Sequence, residues 1–254
     1  MAAIETGNPT LSEKIFDKSL HETSNAFGVM SVRGTINKFG FLMLMVMSSA
    51  IYIWTIFPEN PSTASTLMLV GAIGGLVMAI VMMFKPTIAG YIAPAYAILE
   101  GFFIGGISAY FNAVFAKSYP NIIMNAVGLT MGVALAMFLL YNFRIIKVTD
   151  KFRSIIISAT MGIGLFYLIT WILGLFGVDM GFAFGSGLLS IGISLFIVGI
   201  AAMNLLLDFD AIEKAAEMGA PKYMEWYGAF GLLVTIVWLY LEILKLLSKL
   251  NSRE

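Results

Sequence analysis

Four acidic residues stand where an apolar segment should have none, and they are the groups with which this chain could do chemistry. In "NLLLDFDAIEKAAEMG" (Asn204 to Gly219), Asp208 directly follows Leu205, Leu206 and Leu207, and Asp210 comes two residues later, ahead of Glu213 and Lys214. Glu100 lies inside "APAYAILEGFFIGGISAY", and Glu242 lies inside "WLYLEILKLLSKL", three residues before Lys245. An ionisable group within a membrane span costs about 2.5–3.5 kcal/mol on insertion scales, so such groups are functional candidates. A carboxyl there can hold a proton, release it, or offer oxygens to a hard cation. On a helix Asp208 and Asp210 point about 200° apart, so only one of them faces the interior. Asp208, beside the leucines, is the inward candidate. Asp210, with Glu213 and Lys214 at i+3 and i+4, suits a wet helix end. Glu100 has no basic residue within a helical turn, so it must find a partner on another helix or stay protonated. Glu242 and Lys245 share a face and can pair with each other.

Other chemistries find no footing. The chain has no cysteine, which excludes disulfides, thiol catalysis and thiolate metal sites. His21, the only histidine, sits in the polar N-terminal stretch, so imidazole catalysis within a span and multi-histidine metal sites are excluded. There is no HExxH, no GxGD with a second aspartate, and "FGSG" (Phe184 to Gly187) misses the intramembrane serine-protease pattern. Lys245 stands at a helix end and the third apolar run lacks the Asp-and-Arg pattern of a retinal protein. The expectation is a protein that is not an enzyme and carries no cofactor. A net charge of zero argues against nucleic acid as a partner.

The elements that must carry these acids are membrane spans. Of 254 residues 59% are hydrophobic and 12% charged, about half the charge of an ordinary soluble domain, and mean hydropathy is +0.91. Seven apolar runs fall near 39–57, 66–84, 91–113, 122–143, 154–176, 187–207 and 226–247. Lipid offers backbone groups no partner, so each run must be helical. The expected organisation is all-α, a polar cytoplasmic tail over residues 1–37 and a seven-helix transmembrane domain over 38–254, with no signal peptide at the start. Lys14, Lys18, Arg33 and Lys38 precede the first run, Lys85 follows the second, Arg144, Lys147, Lys151 and Arg153 follow the fourth, and Lys214 and Lys222 follow the sixth. The first and fifth connectors hold only Glu59 and Asp179. Positive charge on alternate connectors orients the N-terminus toward the cytoplasm. Seven crossings then put the C-terminus outside, although Lys245, Lys249 and Arg253 crowd it and the uncharged stretch Gly228 to Leu241 is short. Either the last run crosses fully, the preferred reading, or a short final helix sits inside the bundle. Gly71 and Gly75, Gly101 and Gly105, and Gly128 and Gly132 are spaced for close helix approach, within the bundle or between copies as a homo-oligomer.

The sixth connector and last run together resemble the C-terminal signature of the Bax inhibitor-1 family. "LLLDFDAI" fits its L-x-D-x-x-x-I helix end, and "LYLEILKLLSKL" its final L-[YF]-x-x-[IL]-x-x-LL pattern. "YAILEGFFIGGISAYF" is similar to the family's glycine-rich helix in a bacterial branch that carries a glutamate there, and "RGTINKFGFLML" fits that branch too. The resemblance runs from about residue 33 to the end. It implies a bundle with the last helix central, residence in a bacterial cytoplasmic membrane, and a pH-sensitive calcium leak gated by a hydrogen-bonded pair of aspartates. One of that pair maps onto Asp208, which would then be a transient Ca²⁺ contact. The other falls on Thr235, or on Glu242 if the register shifts by two turns. With Thr235 there, Glu100 or Asp210 would have to supply the second acid. The alternative is a non-conducting regulator that binds other membrane proteins, such as a membrane protease complex.

Overall fold

A computed structural model describes residues 28–177 and 185–252. Lys14, Lys18, His21, Asp179, Phe184 and Arg253 lie outside the described residues, as does most of the expected tail. Among the described residues seven long α-helices carry the chain: α1 Val32–Ile56, α2 Pro61–Phe84, α3 Ala89–Phe115, α4 Ile122–Asn142, α5 Asp150–Leu175, α6 Leu188–Glu217 and α7 Met224–Asn251. A short 3₁₀ turn, Pro86–Ile88, leads into α3. Every one of the seven is long and apolar enough to cross a bilayer. The protein is an integral membrane protein.

The helix boundaries follow local chemistry. Ser31 caps α1 by accepting from the Gly34 N–H, and Thr149 caps α5 by accepting from the Phe152 N–H. Pro61 opens α2, where its missing N–H costs nothing. Gly219, at φ +74°, turns the chain after α6 in the left-handed conformation that glycine tolerates.

Two boundaries differ from the hydropathy reading. Helix α6 does not stop at Leu207 but runs to Glu217, so Asp208 and Asp210 sit within it rather than at its mouth. The Asp210–Lys214 pair and the buried Ala211, Ile212 and Ala215 sustain this polar extension. Helix α7 is a full 28 residues, and 67% of its apolar window is buried, the highest share of the seven. The short-final-helix reading therefore gives way to a full-length span. At the other end, α1 starts at Val32, so Arg33 and Lys38 are helical.

The chain forms two compact units. The first holds α1, α2, α3 up to Val114, and the hairpin Asp208–Val234 made of the end of α6 and the start of α7. Its helices meet through small residues. A Cβ on Gly105 would stand 2.7 Å from the Ala50 backbone of α1, one on Gly101 would overlap Ser49, and one on Gly71 would overlap the α3 backbone at Leu99. The glycines at these positions are what let the backbones approach. Tyr96 of α3 meets Phe230 of α7 edge-on at 4.8 Å between ring centroids.

The second unit holds Phe115–Leu207 and Thr235–Glu254. Ile156 and Ile163 of α5 and Ile197, Ile200 and Leu207 of α6 form its apolar core, with Trp238 of α7 packed against it. At the end of α7 the Asn251 side chain donates to Ser118 Oγ, 3.0 Å away, in the connector between α3 and α4. Helices α4 and α5 bury only 17% of their apolar windows, and Met124, Leu135, Leu165 and Trp171 stand exposed on them, as lipid-facing residues do. A Cβ on Gly128 or Gly132 would meet nothing within 4 Å. Of the three glycine pairs, two serve packing inside the first unit and the third faces open space.

Candidate functional site

Each acid singled out in the sequence is buried, and each has a distinct setting. Asp208 is fully enclosed, at 0% exposure, one residue beyond Leu207 on α6. Enclosing a carboxyl so completely in a membrane-spanning helix is costly unless it is protonated or its oxygens are partnered.

Asp210 corrects the expectation of a wet helix end. It is only 7% exposed, and its carboxylate pairs with Lys214 at 2.8 Å. The two aspartates do diverge around the helix, but both sides of α6 are covered at this level. The side chain nearer water is Lys214, which reaches back along its own helix to neutralise Asp210.

Glu100 lies on the buried face of α3, formed by Ala93, Ala97, Gly101 and Gly105. Tyr96, one turn earlier, hydrogen-bonds its carboxyl. A Cβ on Gly75 of α2 would come within 3.3 Å of Glu100 Oε2, so the second glycine of the α2 pair makes room for this acid. The partner that the sequence reading sought on another helix is instead a tyrosine on the same one.

Glu242 is 1% exposed on α7 and is held by a tyrosine and a lysine. The Tyr167 hydroxyl of α5 lies 2.9 and 3.0 Å from its two oxygens, and Lys245 donates to it at 3.0 Å. The Lys245 ammonium also lies 4.7 Å from the centroid of the Tyr167 ring. One turn further on, Lys249 donates to Ser194 Oγ at 2.8 Å. The expected Glu242–Lys245 pair is present, and Tyr167 is an addition that no local spacing announced. Thr235, the other register choice, is buried at 3% exposure on α7.

Glu225 was missed altogether. In the sequence it is one charge in a polar connector, but in the structure it occupies the first turn of α7 with its side chain at 0% exposure. The Ser31 N–H and Ser31 Oγ–H both donate to Glu225 Oε1 at 3.0 Å, and Lys38 of α1 pairs with Oε2. A separation of 194 residues hides this contact from any local pattern. Asn204, also missed, donates from its amide to Thr160 Oγ1 at 2.8 Å and to the Ile200 carbonyl at 2.9 Å.

Among the described residues no three His, Asp or Glu side chains gather to hold a metal ion.

Seven helices long and apolar enough to cross a bilayer, with enclosed carboxyls on three of them, define a polytopic helical membrane protein. The family model described as Bax inhibitor 1 like matches residues 8–252, and the chain belongs to that family. Neither the curated proteins nor the solved structures yield a match.

Proposed function

We propose that this protein is a pH-responsive cation leak of the Bax inhibitor-1 type, with Ca²⁺ as the expected cargo and Asp208 as the working carboxylate. The observation that carries this reading is the complete enclosure of Asp208 within a membrane-spanning helix. While protonated, the group is neutral and compatible with a closed, well-packed helix. Once deprotonated it is a buried charge, which loosens the packing around it and offers an oxygen ligand to a hard cation. The settings of the other acids narrow their roles. Asp210 is neutralised by Lys214, and Glu242 by Lys245 with Tyr167. Each of the two has a lysine as counter-charge within its own helix. Glu100, bonded to Tyr96 in the same compact unit as Asp208, is the better second acid. No enzymatic activity and no resident cofactor belong to this reading.

The orientation proposed has the N-terminus in the cytoplasm of a bacterial cell and the protein in its cytoplasmic membrane. Counting crossings, the ends of α2, α4 and α6 share the side on which α1 begins, and Lys85, Arg144, Lys147, Lys151, Lys214 and Lys222 all flank those ends. This is the distribution the positive-inside rule associates with the cytoplasm.

The test is Ca²⁺ flux into liposomes that contain only the purified protein, measured from acidic to alkaline pH. Flux that rises with pH supports the leak, and no flux at any pH removes it. A second reading is favoured by Gly128 and Gly132, which leave a smooth open stripe on α4. On that reading the protein is a non-conducting regulator, and α4 receives the helix of another membrane protein or of a second copy.

A further inference from the structure

We propose that Glu225 is a positioning residue: it latches the α6–α7 hairpin, which carries Asp208 and Asp210, to the segment that leads into α1. The inference rests on the reading of Asp208 as the working carboxylate and adds a control point to it.

The latch has a backbone layer and a side-chain layer. Val29 and Pro221 form an antiparallel bridge, with Met30 N–H donating to the Ala220 carbonyl at 2.7 Å and Lys222 N–H donating to the Gly28 carbonyl at 3.1 Å. Gly28 and Gly219, at φ +72° and +74°, give the two strips the turns that bring them together. Above the bridge, Glu225 gathers Ser31 N–H, Ser31 Oγ–H and Lys38, while Lys222 Nζ stands 3.7 Å from Oε1. Ser31 is at the same time the cap of α1, so one hydroxyl serves both the helix start and the latch. Gly34 has to be glycine, because a Cβ there would overlap the Glu225 carboxylate. Lys38 is further held over the Trp226 ring at 5.3 Å. Met30, Thr35, Ala220 and Met224 are buried around the contact.

This is more than a helix cap. A fully enclosed carboxylate is a large cost unless its partners stay in place, so the position of the hairpin depends on whether Ser31 and Lys38 remain against it. A partner or force acting on the segment from Gly28 to Ser31 would be felt at the start of α7 and, through Gly219 and the end of α6, at Asp208.

The absence of native cysteine makes the test clean. Val29 and Pro221 form a non-hydrogen-bonded antiparallel pair, a geometry with Cα atoms about 4.5 Å apart and within disulfide reach. Flux is measured for the parent, for Glu225→Gln, and for Glu225→Gln combined with Val29→Cys and Pro221→Cys, oxidised and then reduced. Glu225→Gln should raise flux at acidic pH, where the parent is closed, oxidation should restore the parent level, and reductant should release it again. Unchanged flux in Glu225→Gln, or a rise that the crosslink does not reverse, overturns the proposal. A second measurement does not depend on flux. Ala215, fully buried in the hairpin, is replaced by Cys and its reaction with a water-soluble maleimide is followed. Adding Glu225→Gln should speed labelling by about tenfold or more, as expected when a buried charge pair opens a local segment. Should the parent carry no flux, the leak fails, and the labelling rates alone decide the latch: a rise sustains it and equal rates overturn it.

Discussion

Three of the four acids of the spans differ in what a single-atom change should do to them. Asp208→Asn keeps shape and hydrogen-bonding capacity but cannot ionise, so the pH dependence of flux should flatten. Asp210→Asn removes the charge that Lys214 neutralises and leaves a partly buried lysine without its partner. The expected result is a loss of about 1–3 kcal/mol of stability, read as a lower unfolding temperature in detergent, with the pH profile of flux retained. Glu100→Gln replaces an acid bonded to Tyr96 with an amide of the same size, so the fold should hold. If Glu100 is the second acid, the midpoint of the pH profile should move, and an unmoved midpoint would make Glu100 a packing residue. The burial of Asp208 was readable from the three leucines before it. The burial of Asp210 was not, because periodicity gives the direction of a side chain around its helix and says nothing of what covers that side.

At the level of helices, the glycine pairs separate packing from open surface. Gly105→Val would drive a branched side chain into the Ala50 backbone, which cannot yield as a flexible side chain could. Destabilisation of at least about 2 kcal/mol is expected, seen as a large drop in unfolding temperature or failure to accumulate in membranes. Gly132→Ala meets nothing within 4 Å and should leave the isolated protein as stable as before, or slightly more so. The spacing of all three pairs is identical, so the sequence could not say which of them pack within the chain. The spans themselves were readable, since each is an apolar run that lipid forces into a helix. Their ends were less so. Hydropathy stops at Leu207, while the α6 backbone continues for ten residues on Asp210–Lys214 pairing and a buried alanine face. The Glu225 latch had no local signal at all.

For the molecule as a whole, seven crossings and the Asn251–Ser118 bond place the C-terminal end of α7 on the same side as the α3–α4 connector. Reporters inserted near Ser118 and fused after Asn251 should therefore agree, and both should oppose one placed near Lys147. The positive-inside assignment adds that Lys147 reads cytoplasmic, and an exterior signal there would reverse the orientation. Family membership and seven spans define what kind of protein this is, and the leak proposal depends on one side chain within it. The most direct test is Ca²⁺ flux into liposomes across pH, comparing the parent with Asp208→Asn at equal reconstituted amounts. The expected result is flux that climbs with pH in the parent and a flat profile in Asp208→Asn. A pH-dependent flux that survives Asp208→Asn unchanged would contradict the account.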